Sequence, residues 1–172
     1  MAIEGDIAHL RSWGIETDSV DPDSFKYFET VLMQGNGYLG TRGAFEEVAG
    51  PDGKSSPLTL IAGIFDTPAR EHMVTRLAPA PNWLILRFFD GTSWFSLDTG
   101  KILQHVRRLA YKDGLLTREV RWESDSGRVT KLVFRRFVSM ARPHVCALCL
   151  EITPENYSDV VKVASEINYE SW

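Results

Sequence analysis

Only two cysteines occur in these 172 residues, and they lie three apart in an apolar stretch, Val145 to Leu150. In a strand Cys146 and Cys149 face opposite sides and cannot bridge each other, so buried free thiols are the reading. No cysteines and histidines stand at zinc spacing, and the four histidines, His9, His72, His105 and His144, are scattered, so no metal site is expected. Basic residues never run longer than two, and 23 acidic side chains outnumber 19 Lys and Arg, for a net charge of −4. That balance excludes the electrostatic footprint of a nucleic-acid binder. Nothing approaches the ~20 apolar residues that span a bilayer, and the N-terminus lacks the basic end and apolar run of a signal peptide. A cytoplasmic protein with no membrane or nucleic-acid partner is expected. GxSxG, HExxH and Walker-loop patterns are absent too, which removes those nucleophile, metalloprotease and nucleotide readings.

What the chain does have is a rhythm of short extended segments and turn signals. Trp83 to Phe89 and Trp94 to Leu97 flank Asp90-Gly91, a strong hairpin signal. Further strands are predicted from Gln104 to Tyr111, Leu115 to Glu123 and Val129 to Val138, divided by Lys112-Asp113-Gly114 and Ser124 to Gly127. In Leu115 to Glu123 the apolar residues Leu116, Val120 and Trp122 share one side, and Thr117, Glu119 and Arg121 the other, so one face meets water. Val129 to Val138 reads as apolar on both faces. Val145 to Leu150 is apolar without a break and reads as a central strand covered on both faces by a second sheet. Before Trp83, Ile7 to Trp13 reads as a short helix capped by Asp6, and Phe25 to Met33 as a strand. Glu47 to Pro57 reads as a loop, Thr59 to Phe65 as a strand, and Ala78 to Pro81 as an extended connector.

The segment Gln34 to Gly43, QGNGYLGTRG, concentrates the chemistry. Its structural glycines Gly35, Gly37, Gly40 and Gly43 imply positive φ or close approach of backbones. Asn36 tolerates the left-handed region, Tyr38 offers a ring with a hydroxyl tip, and Arg42 a planar fork of donors. These are sugar- and anion-contacting groups, and Asn36-Gly37 is equally a plain hairpin turn between strands at Gln34 and Tyr38. Carboxylates are plentiful, but none forms a favoured acid/base pair. Asp90, Asp98 and Asp113 sit in turns, and Glu29 and Glu119 in strand patterns with one wet face. His105 reads as a half-exposed strand residue and Trp122 as core, while Trp94 stands beside a turn.

Taken in order, Glu29, QGNGYLGTRG, TLIAGIFD, NWLILRFFDG, FSLDTGKILQHVRRL, KDGLLTREVRW and GRVTKLVFRRFVSMARPHVCALCLEITPEN resemble the N-terminal domain of glycoside hydrolase family 65. That family includes maltose, trehalose and kojibiose phosphorylases and related hydrolases, and the likeness runs from about Trp13 to the end. It implies a mostly β protein, an antiparallel β-sandwich of the galactose-mutarotase-like (supersandwich) kind. In the complete enzyme such a sandwich packs on an (α/α)6 barrel, where a glutamate acts as general acid and phosphate or water attacks the anomeric carbon with inversion. The barrel is absent here, so residues 1–172 are expected to form one non-catalytic domain with no catalytic residue and no cofactor. Inorganic phosphate would be a co-substrate of the parent enzyme. The implied roles are scaffold, dimer surface and rim of the carbohydrate site, with Asn36, Tyr38 and Arg42 as rim residues and an α-linked disaccharide as the substrate of the whole. Where the family usually has Leu-Asp before the tight turn, this chain has Leu109-Ala110. The family's sandwich is longer, so a truncated fragment with an unpaired, self-associating edge is expected. A stand-alone carbohydrate-binding module using Trp94, Tyr38 or Arg42 is the alternative. A self-sufficient small glycosidase is the third, and it lacks a matched acid and base.

Overall fold

The computed structural model describes residues 13–47, 55–66 and 74–168. The expected helix over Ile7 to Trp13, apart from Trp13, and most of the expected loop over Glu47 to Pro57 lie outside them. The described residues are dominated by antiparallel strands. A five-stranded sheet runs in the order β1 (Gly14–Thr17), β7 (Lys101–Ala110), β8 (Leu115–Glu123), β9 (Val129–Val138) and β10 (Cys146–Pro154). A smaller sheet joins β2 (Gln34–Gly35), β3 (Leu39–Thr41), β4 (Thr59–Asp66) and β5 (Arg76–Ala80), and a third pairs β6 (Asn82–Phe89) with β11 (Lys162–Asn168).

Alternation on the long strands builds the core. Val120 and Trp122 on β8 and Leu132 and Phe134 on β9 meet Phe88 of β6 and Phe95 in one buried cluster, with Leu150 and Ile152 of β10 against it. Trp122 sets its ring edge-on to Phe95 and Phe88, and its Nε1 donates to the Thr99 carbonyl at 2.7 Å, which satisfies the one polar atom a buried indole carries. The outer face of the large sheet is a ladder of opposite charges: Glu16 with Arg108, Glu119 with Lys131, Arg121 with Glu155 and Arg135 with Glu151. Val133 is buried on that face, where register sets it between Glu119 and Glu151.

Several expectations are corrected. Phe25 to Met33 is not a strand: Phe25–Val31 is a helix, α1, entered through a short 3-10 turn in which Asp21 accepts from the Asp23 amide and Pro22 stands first. Phe25, Glu29 and Leu32 are buried while Tyr27 and Met33 are exposed, which is helical spacing and not a period of two. Glu29 therefore does not lie on a wet strand face. β10 is an edge strand, not a central one. Its inner face carries Leu150 and Ile152, its outer face carries the small Cys149, which is exposed, and no described strand pairs with its far side. The two thiols are thus half-buried and exposed, not buried. β9 is apolar on both faces, as expected, with Leu132, Phe134 and Val138 buried on the inner one and Val133 buried and Phe137 exposed on the outer one. Ala78 to Pro81 is mostly β5, an edge position where proline's missing donor is tolerated. Trp94 to Leu97 makes only a single bridge, Trp94 to Phe89, because the Thr99 hydroxyl takes the carbonyls of Trp94 and Ser96.

Candidate functional site

Segment 34–43 folds as the hairpin β2–β3, with Gln34 opposite Thr41 and Gly35 opposite Gly40. Gly37 takes φ +86°, which a side chain would strain. Gly43 serves close packing: a Cβ there would stand 2.7 Å from that of Leu32 on the turn after α1. A Cβ on Gly35 would come within 3.2 Å of the Leu39 carbonyl, and one on Gly40 would meet nothing within 4 Å.

The three polar residues of this segment have different surroundings. Asn36 accepts from the Tyr38 and Leu39 amides through Oδ1 and donates from Nδ2 to the Ser139 and Pro143 carbonyls at 2.7 and 2.9 Å. It ties the hairpin to the turn between β9 and β10. Tyr38 packs on His144 of that turn, ring centres 4.3 Å apart. Arg42 turns the other way, donating from Nη2 to the Lys26 carbonyl and Thr30 Oγ1 of α1, with the Glu29 carboxylate 3.7 Å away. Asn36 and Tyr38 come together, and Arg42 stands apart from them. Trp94 has the Arg87 guanidinium 4.4 Å over its ring.

The strongest electrostatics lies deeper. Arg107 and Arg118 are directly opposed on β7 and β8, and Arg136 stands opposite Leu116 on β9, all three on the inner face and buried. Such a cluster of cations is unstable alone. The segment after the hairpin threads through it and neutralises it. Arg118 forks onto Glu47, bonding Oε2 through Nη1 and Oε1 through Nη2, and its Nη1 also meets Glu46 Oε2 at 2.9 Å. Arg136 donates to the Ala44 carbonyl and lies 3.3 Å from Glu46 Oε1, while Arg107 donates to the Gly43 carbonyl. Phe45 lies beneath Arg107 and Arg118. Burial alone would raise the pKa of Glu46, but Arg136, Arg118 and Arg107 outweigh it and hold the carboxyl below its ordinary value. Glu29 is a further buried carboxylate and accepts from Ser55 Oγ and the Ser56 amide.

His105, expected half-exposed, is buried beside this cluster. It faces inward with Arg107 because both have the same parity on β7. Burial, with Arg118 and Arg107 nearby, pushes its pKa down to about 3. The ring is neutral: Nε2 accepts from Arg118 Nε at 3.3 Å, which leaves the proton on Nδ1, 3.4 Å from the Asp18 carbonyl. Sequence reasoning missed Arg107, Arg118, Arg136, Glu46 and Glu47 as a unit. The signal was present in Arg118, which shares its parity with Leu116, Val120 and Trp122.

The model of the glycosyl hydrolase family 65 N-terminal domain matches residues 15–172. Kojibiose phosphorylase of Halothermothrix orenii is 36% identical over 158 residues, covering 92% of this chain and 20% of the relative. Alpha,alpha-trehalose phosphorylase of Thermoanaerobacter brockii is 32% identical over 174 residues, covering 92% of this chain and 22% of that one. A putative kojibiose phosphorylase from the human microbiome superposes with a TM-score of 0.78 at 20% identity, over 88% of this chain and 21% of its own. The fold is thus a β-sandwich shared with a segment of a much longer protein. The chain belongs to glycosyl hydrolase family 65, as its N-terminal domain, and spans about a fifth of the length of these relatives.

Proposed function

We propose that the chain is the non-catalytic sandwich of a phosphorylase or hydrolase acting on α-linked disaccharides, serving it as scaffold, as dimer surface and as rim of the sugar site. The reading is carried by the condition of three buried glutamates. Glu46 and Glu47 are bound to buried arginines, and Glu29 is held by Ser55, Ser56 and Arg42. Glycoside hydrolysis needs one carboxylic acid kept protonated and a second group across an open cleft. Bonded in this way, the three side chains serve the fold.

The hairpin is the rim element of this reading, with Tyr38 as its presented side chain and Asn36 and Arg42 as its fixings. Assembly falls to the β4–β5 ribbon, where Ile64, Phe65 and Leu77 are exposed. The test is a chimera in which this chain replaces the matching N-terminal residues of the Halothermothrix orenii kojibiose phosphorylase. Retained phosphorolysis supports the scaffold role, and a Tyr38→Ala chimera that loses kcat/KM without losing thermal stability supports the rim. A folded chimera with normal kinetics in the Tyr38→Ala form overturns the rim.

A further inference from the structure

Beside the hairpin, a cavity of about 610 Å3 opens where β2, the β7–β8 turn and the end of β9 meet. Ligand pockets span roughly 300–1,000 Å3. Its lining mixes rings with polar groups: Tyr111 and Phe137 are 48% and 41% exposed, and Lys112 and Asp113 follow Tyr111 in the turn. Gln34 lines it as well and is 7% exposed. Its Nε2 donates to the Gly114 carbonyl at 2.6 Å and the Arg136 carbonyl at 3.1 Å, which fixes the amide orientation because only the nitrogen has hydrogens. Oε1 is left buried with no hydrogen-bond partner among the described residues. A buried acceptor without a donor is costly, and a ligand that brings a donor removes that cost.

A pyranose ring carries what this cavity lacks: hydroxyl donors around its edge and a C–H face that lies on an aromatic ring. We propose that the cavity binds a glucoside, with its C–H face on Tyr111 and Phe137 and one hydroxyl donating to Gln34 Oε1. Lys112 and Asp113 take further hydroxyls as donor and acceptor. None of Asn36, Tyr38 and Arg42 lines the cavity, so this is a second sugar site, apart from the rim. The choice of an α-linked sugar rests on the proposed function; the cavity and its unmet acceptor do not.

The test is a titration of the isotope-labelled chain with maltose and kojibiose followed by NMR, with cellobiose as the β-linked comparison. Saturable shifts at Gln34, Tyr111 and Phe137 are expected. Binding is expected to weaken about tenfold or more in Tyr111→Ala and in Phe137→Ser, and to persist in Tyr111→Phe, with both substituted chains still folded because each ring is only about half buried. Binding of cellobiose in place of the α-linked sugars upholds the site and removes the α-glucoside reading. No saturable shift at these residues with any of the three sugars overturns the proposal, as does full binding by folded Tyr111→Ala and Phe137→Ser. Loss of self-association in Phe137→Ser without sugar binding would make the cavity a protein contact and also overturn it.

Discussion

Arg118 and Glu119 are neighbours in sequence yet occupy different media, one enclosed by Glu46, Glu47 and His105, the other paired with Lys131 on the wet face. Removing Arg118 takes the arginine away from buried Glu47 and leaves Glu46 to Arg136 and Arg107. Arg118→Ala is expected to cost about 3–5 kcal/mol in a denaturant titration, whereas Glu119→Ala stays within about 1 kcal/mol. Equal effects would mean that the inner charges are solvated. His105 gives the same cluster a pH dependence. Its folded pKa of about 3 lies below the ordinary histidine value of 6.5, so only the unfolded chain takes up the proton as pH falls between those values. Its stabilising contribution is complete above pH 6.5 and falls towards pH 3, with a slope approaching about 1.4 kcal/mol per pH unit. Glu46 acts in a lower window, since its depressed pKa means its contribution is lost only as pH falls below 4.5. Urea midpoints at pH 7.5 and pH 5 are expected to show a larger acid-side loss in the parent chain than in His105→Gln. Identical losses would show that His105 takes up its proton in the folded state as readily as in the unfolded one.

At the scale of elements, the large sheet was legible because its strands alternate cleanly between turn signals, and β8 could be sided from Leu116, Val120 and Trp122 alone. α1 was not, because Phe25, Tyr27, Glu29, Val31 and Met33 also satisfy a period of two, and only burial of Phe25, Glu29 and Leu32 decides for the helix. β10 misled for the opposite reason: an unbroken apolar run fits both a central strand and an edge strand whose outward residues are small. The charged cluster was hidden by side-chain parity, since Arg107-Arg108 and Arg135-Arg136 put one arginine on each face and the sequence does not say which meets an acid. Segment 34–43 was partly legible, as a hairpin, but the glycines differ in their reasons. Gly43→Ala is expected to cost about 1–3 kcal/mol through contact with Leu32, and Gly40→Ala to stay within about 0.5 kcal/mol. Chemical denaturation of the two variants checks this, and a costly Gly40→Ala would point to a neighbour outside the described residues.

At the scale of the molecule, one face of the large sheet is a charge ladder, while the β4–β5 ribbon exposes Ile64, Phe65 and Leu77. Exposed apolar groups on a thin ribbon are unstable in water unless covered, so sedimentation of the chain is expected to show association that Phe65→Ser weakens. A monomer in both would remove the ribbon as an assembly surface. In the buried charge cluster Glu46 and Glu47 are bonded to arginine, His105 is neutral, and the arginines hold the segment from Gly43 to Glu47 in place. The most direct test is product analysis of the purified, folded chain with kojibiose, trehalose or maltose, each with and without inorganic phosphate. The account predicts neither glucose nor sugar phosphate above the protein-free blank. Phosphate-dependent turnover that disappears in Glu29→Gln, Glu46→Gln or Glu47→Gln would contradict it.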